Sequence, residues 1–215
     1  TLNPTILNGG YPLAFGERNS GVNDFGGSMD HLEVYPYALG PTSVQFLYNL
    51  TDYLGRYDRL ECWGKLDEAA ASSTATDYSK NRNHLTNTNL TTGVTGRIHA
   101  CHTNGGTGGA RASGITNLPT IGTGPFGLSA WFKSTAPATQ SYAIFTWGNA
   151  TVGICIKLRG RGGNTNIRCS LNSVDYDSVN TTSVLTDGAW HHVCVTRAYT
   201  GNIEFYVDGV LLSDI

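Results

Sequence analysis

Charge is scarce in this chain. Asp, Glu, Lys and Arg make up 14% of its 215 residues, and the formal net charge is −2. With no excess of either sign, there is no electrostatic case for binding nucleic acid or an acidic membrane surface. No apolar run is long enough to span a bilayer. No signal-peptide pattern is visible and the one methionine is Met29, so the chain is expected to be a processed form or a piece of a longer polypeptide. The five cysteines include no CxxC pair, which excludes the common zinc spacings. No nucleotide-binding motif occurs. No strand carries acids in a Glu-X-Asp-X-Glu pattern, and the adjacent Asp67 and Glu68 would point to opposite faces of a strand. Glycoside hydrolysis needs two carboxyl groups about 5–9 Å apart on one side. The chain is therefore expected not to be an enzyme.

What is abundant is Gly, Thr, Ser and Asn, a composition suited to many short strands joined by polar turns. The length suits one large β domain with a sizeable core. Alternation of period two recurs, with turn signals between the runs. In FGLSAWFK (126–133), Phe126, Leu128, Ala130 and Phe132 share one face and Trp131 lies on the other, so both faces are expected to be covered. TVGICIKLR (151–159) and NIRCSL (166–171) flank the Gly-rich RGGNT and read as a hairpin. WHHVCVTR (190–197) is a further strand. In IEFYVDGVLL, Asp208-Gly209 occupies the tip of a two-residue hairpin. SMDHLEVY (28–35) is a strand leading into one short helix. There Pro41 sits near the first helical position and Val44, Leu47 and Tyr48 line one side. No internal repeat and no second domain is visible.

The two ends read as halves of one motif. NIEFYVDGVLLSDI (202–215) is a strand, a tight turn and the start of a return strand. TLNPTILNGGYPLAFGERN and then FGGSMDHLEVYPYALGP read as its continuation. Residues 1–49 are thus expected to close a sandwich built from residues 61–215, their own or a neighbouring subunit's. Residues 50–60 form a linker that reaches at most about 35–40 Å when extended.

Several segments together resemble the laminin-G-like branch of the concanavalin A-like lectin/glucanase superfamily. They are CWGKLDE (62–68), DYSKNRNHL (77–85), GRIHACHTNGG (96–106), the three strands FGLSAWFK, WHHVCVTR and IEFYVDGVLL, and the closing LAFGERN with FGGSMDHLEVYPYALGPTSVQFLY. The segment order is circularly permuted relative to the family. The resemblance implies an all-β, two-sheet antiparallel jelly-roll-like sandwich with one short helix. It does not fix an activity, because the fold hosts lectins, adhesion modules, hydrolases and spacers.

Asp77, Ser79, Asn81 and Asn83 place oxygen-bearing side chains at every second position. They are either calcium ligands or the partners of a local turn. Calcium is the one cofactor the sequence suggests. Tyr142, Trp147 and Tyr176 lie near loop positions. They are either a carbohydrate-binding platform or caps on the edge of the core. His191 and His192 are adjacent on a strand and cannot both ligate one ion, so they read as structural. Asn49, Asn89, Asn149 and Asn180 begin Asn-X-Ser/Thr sequons and are glycan acceptors if the chain is secreted. A hairpin folding around Gly162 sets Cys155 opposite Cys169 as a disulfide. The second pair then falls to Cys62–Cys101, with Cys194 buried and free. Alternatively, all five pack as small apolar residues.

These readings lead to two expectations for function. One is a non-catalytic extracellular or cell-surface structural and adhesive subunit, assembling head to tail with copies of itself into fibres by exchanging sandwich segments. The other is a monomeric, lectin-like carbohydrate-binding module, calcium-dependent or not, that closes its own permuted sandwich.

Overall fold

The computed structural model describes residues 13–16, 25–50, 60–104, 111–115, 124–136, 141–148, 153–161, 164–179, 181, 185–198 and 201–215. The described elements begin with β1 (Leu13–Phe15), β2 (Gly27–Tyr35), α1 (Pro41–Tyr48), β3 (Cys62–Gly64), β4 (Thr74–Ala75) and β5 (Leu85–Thr88). They continue with β6 (Thr91–Thr95), β7 (Ala100–Asn104), β8 (Arg111–Ile115), β9 (Phe126–Lys133), β10 (Ser141–Gly148) and β11 (Gly153–Arg161). β12 (Asn164–Leu171), β13 (Val174–Asp177), β14 (Trp190–Arg197), β15 (Ile203–Val207) and β16 (Val210–Asp214) complete the order.

They form two antiparallel sheets. The first runs β13-β12-β11-β10-β1-β8-β5-β4, and the second β16-β15-β14-β9-β2-β7-β6, with β3 also paired to β2. The all-β, two-sheet sandwich with one helix is the architecture expected from the sequence. β1 lies between β10 and β8, and β2 between β9 and β7. The amino-terminal segment therefore supplies an interior strand to each sheet of its own chain. Leu13 and Phe15 of β1 share one core with Ile203, Phe205 and Val207 of β15, in the facing sheet.

The local signals explain the elements. Asp208 and Gly209 both have positive φ, 51° and 79°, as a two-residue turn of this kind requires. Pro41 opens α1, and Val44 and Leu47 are its buried residues. On β9, Phe126, Leu128, Ala130 and Phe132 enter the inter-sheet core. Trp131 faces the other way, under the ring of Tyr48 at 5.5 Å.

The two sheets differ in what covers their outer sides. The central strands of the second sheet, β2, β9 and β14, are buried on both faces. A second apolar cluster, including Tyr35, Val44, Leu47, Trp63, Ile98 and Tyr206, seals its outer face beneath α1. A bulge in β2, where His31 has φ 50°, turns both Asp30 and Glu33 outward into this covered layer. Asp30 Oδ2 accepts the backbone N–H groups of Arg97 at 2.8 Å and Ile98 at 2.7 Å. Gly96 permits that approach, since a β-carbon there would meet Asp30 Oδ2 at 2.6 Å. Burial outweighs these bonds and pushes the Asp30 carboxyl up to about 7. Two strands away, His192 is buried with its Nε2 on Ser129 Oγ at 2.8 Å, and burial drives it down to about 3.

These two groups pull stability in opposite directions. The folded protein binds a proton at Asp30 that the unfolded chain lacks between about pH 4 and 7, so this contribution weakens as pH rises. It lacks a proton at His192 that the unfolded chain holds between about pH 3 and 6.5, so that contribution weakens as pH falls. Each slope is about 1.4 kcal/mol per pH unit, and over the shared window they cancel. Asp30→Asn is expected to expose the histidine slope, with unfolding free energy dropping by about that much per unit from pH 6.5 to 4.5 more than in the parent. Denaturant titrations at four pH values measure it, and parallel parent and variant curves would count against the assignment.

Candidate functional site on the outer face of the first sheet

The outer face of the first sheet is polar where the described residues form it. Alternation puts Ile154, Ile156 and Leu158 of β11 and Ile167, Cys169 and Leu171 of β12 into the core. Cys155, Lys157 and Arg159, and Arg168 and Ser170, therefore face out. One row of register partners crosses all eight strands: Thr74, Thr86, Ser113, Ala14, Thr146, Cys155, Ser170 and Asp175. Its centre is buried, and at the β13 end Asp175 is exposed.

At that end stands a group of ion pairs. Arg168 donates through Nε and Nη2 to the two oxygens of Asp177 at 2.6 and 2.7 Å, and through Nη1 to Asp175. Arg159 Nη1 donates to Asp177 Oδ2 at 2.6 Å. Ser170 Oγ donates to Asp175 Oδ1 at 2.6 Å, and Lys157 Nζ donates to Ser170 Oγ at 3.2 Å. The hydrogen bond and charge of Arg168 hold Asp177 below the usual carboxylate range, and Asp177 raises Arg168 in turn. The side chains of Arg159 and Asp177 are 28% and 27% exposed, so the group is ordered by its own pairs and open to solvent. Surface pairs of this kind contribute little to stability. What they fix is orientation: planar donors and acceptors held in a set arrangement.

Asp175 and Asp177 are two residues apart on β13 and share a face. This is an alternating acid pair of the sort hydrolysis uses, yet both are clamped by guanidinium groups. A general acid needs a raised pKa, and Asp177 moves the other way. The raised carboxyl, Asp30, has no exposed surface.

Several sequence expectations need correction. Tyr142 and Trp147 belong to the inter-sheet core, and Tyr176 packs against it, so none forms an open sugar platform. Trp147 pairs with Leu13 and Ile154 in the middle of the sheet, which turns its ring inward. The exposed aromatic residues among those described are Tyr37, Phe46 and Tyr78. Lys65 Nζ already sits over the Tyr78 ring at 4.4 Å.

Asp77, Ser79, Asn81 and Asn83 come together, but not as cation ligands. Asp77 Oδ1 accepts the N–H groups of Trp63 and Ser79, at 2.9 and 2.8 Å. Its Oδ2 accepts Ser79 Oγ–H and Asn83 N–H, both at 2.9 Å. Asn81 turns its amide Nδ2 to Glu61 O and Oε2. A carboxylate has about four lone-pair sites, and all are used. These residues do not fit a calcium ion, and no group of three or more His, Cys, Asp or Glu suited to a metal occurs among the described residues.

All five cysteines are buried, and none is bridged to another by a disulfide. The β11–β12 register sets Cys155 opposite Ser170 and Cys169 opposite Ile156, one residue off the register a bridge requires, so their side chains lie on opposite faces. Cys62 is opposite Val34, whereas Cys101 lies beside the His102–Met29 pairing further along β2. That separation, roughly 10 Å or more along the strand, is beyond disulfide reach. His191 and His192 do point opposite ways: His191 bridges Asp208 at 2.9 Å and Asp187 at 3.1 Å, while His192 bonds Ser129. Asn49 and Asn89 are exposed, and Asn89 sits in a turn at φ 57°. Asn149 and Asn180 lie outside the described residues.

Lys157, Arg159, Arg168, Asp175 and Asp177 are not among the site residues expected from the sequence. The signal was present: Lys-X-Arg, Arg-X-Ser and Asp-X-Asp fall on three consecutive strands, where alternation puts each pair on one face.

Two antiparallel sheets packed face to face, with one helix, make a β-sandwich of the concanavalin A-like class. Residues 104–214 match the Laminin_G_3 family model, described as the concanavalin A-like lectin/glucanases superfamily. The match takes in just over half of the chain, and the chain belongs to this superfamily. No curated protein and no solved structure matches it. Laminin-G-like domains are typically extracellular and generally non-catalytic. Among the described residues no helix is long and apolar enough to cross a membrane.

Asp77→Ala would strand three backbone N–H groups and is expected to lower stability by about 3 kcal/mol or more. The parent's melting temperature should not move with added calcium or EDTA; a calcium-dependent rise would contradict this reading of the loop. Denatured, unreduced protein should titrate five thiols with Ellman's reagent, and three or fewer would mean that a bridge forms.

Proposed function

We propose that the chain is a non-catalytic extracellular adhesive module that binds glycans on the outer face of its first sheet. The observation that carries this is the Arg159–Arg168–Asp175–Asp177 group on β11, β12 and β13. Sugar hydroxyls are both donors and acceptors. A site that reads them needs both kinds of partner, fixed in place before binding. Alternating guanidinium and carboxylate groups provide this without an aromatic ring. The clamped carboxylates argue against hydrolysis at the same place. Exposed sequons at Asn49 and Asn89 fit a secreted glycoprotein.

Of the two assemblies that the sequence suggests, we take the single-chain form, in which residues 1–49 close the sandwich of residues 61–215 across the linker at 50–60. The pairing of β1 with β10 and β8, and of β2 with β9 and β7, supports it. Exchange between copies would need a neighbour to supply the same bonds.

A glycan array is expected to give a defined set of binders, with affinity falling at least tenfold in Arg159→Gln and Asp177→Asn. Light scattering should report a particle of the chain's own 23.0 kDa plus any glycan. No binding to any saccharide at millimolar concentration would overturn the glycan reading, and long fibres would overturn the single-chain form.

A further inference from the structure

Among the described side chains, the charges on this face do not balance. Lys157, Arg159 and Arg168 bring three positive charges, and Asp175 and Asp177 two negative ones. Both carboxylates are taken up by the arginines. Lys157 is a direct register partner of Arg168, and like charges placed opposite each other on adjacent strands repel. Its register partner on the other side, Ala143, has no polar side-chain atom. Lys157 is only 7% exposed, yet its ammonium donates one hydrogen bond among the described residues, to a hydroxyl at 3.2 Å. An ammonium carries three donors, and burying one this thinly partnered is unfavourable.

Resting on the glycan-binding reading above, we propose that this face selects acidic saccharides, with an anionic group of the sugar, carboxylate or sulfate ester, meeting Lys157 and Arg159. The anion would complete the missing charge, and the Arg168–Asp175–Asp177 group would take neighbouring hydroxyls. Lys157 is the specificity-determining residue. Arg159, on the same strand and two residues away, stands on the same side and offers the planar second donor.

The test compares matched sugars by isothermal titration calorimetry. One pair is oligogalacturonate and its methyl ester; the other is dextran sulfate and dextran. Within each pair the skeleton is constant and the charge is removed. The parent is expected to bind at least one acidic member at least tenfold more tightly than its neutral partner, less so at higher salt. The pair that shows the gain identifies carboxylate or sulfate as the recognised group. Lys157→Met should abolish the preference while keeping binding to neutral sugar, whereas Lys80→Met, a surface lysine elsewhere, should keep it. If Lys157→Met does not fold, Arg159→Gln takes its place, with the preference expected to fall at least threefold. Equal affinity within both pairs would overturn the acidic preference and leave the glycan reading standing. Absence of binding to every saccharide, charged or neutral, would remove both. A preference undiminished in Lys157→Met, or in Arg159→Gln where it stands in, would overturn the assignment to this face.

Discussion

The structure depends on two inserted strands. β1 and β2 come from the first 35 residues, and each lies in the interior of a sheet rather than at its rim. Interior strands are bonded on both sides, so withdrawing either would leave two open edges in place of a continuous ladder. The cost would be as much apolar as polar: Leu13, Phe15, Met29, Leu32 and Val34 all enter the inter-sheet core. Both outer faces follow from this closure. α1, whose buried Val44 and Leu47 join the second sheet's apolar cover, follows directly from β2 along the chain, and the first sheet's polar row runs through Ala14 of β1.

That closure produces two unlike faces. On the second sheet, ionisable groups are trapped under an apolar cover, and their proton affinities move far from ordinary values in opposite directions. On the first sheet, ionisable groups at the β13 end stay partly open to solvent and meet partners of opposite sign, which fixes their orientation, and Arg168 holds the Asp177 carboxyl below its usual range. A site that recognises a polar ligand needs the second condition. The first explains why the buried Asp30 and His192 are poor candidates for chemistry with a substrate despite their strong perturbation.

Much of the fold was legible. The β9, β14 and β15 strands, the Asp208-Gly209 turn and the Pro41 helix follow from alternation and local turn chemistry, which a few neighbouring residues settle. The site was less so. Tyr142, Trp147 and Tyr176 are aromatic residues near strand ends, and sequence has no way to tell an inward ring from an outward one until the register is set. The cysteine pairing failed for the same reason. A hairpin centre placed one half-residue off reverses the face of every side chain on one strand relative to the other. The every-second-residue spacing of Asp77, Ser79, Asn81 and Asn83 brings oxygen-bearing side chains into one loop, but whether they accept N–H groups or a cation depends on where the Trp63 and Asn83 amides come to lie.

By itself, the sequence determined the kind of structure: strands, turns, one helix and the superfamily, since these depend on short-range periodicity and on motifs. Only the tertiary structure decided which residues act together. Lys157, Arg168 and Asp177 are separated by 11 and 9 positions along the chain, and their juxtaposition exists only because β11, β12 and β13 pair in one particular register. Hydrogen-bonded neighbours across a sheet stand about 5 Å apart whatever their distance in sequence, so the face a charge occupies, and the partner it meets, are properties of the paired strands and not of any one of them.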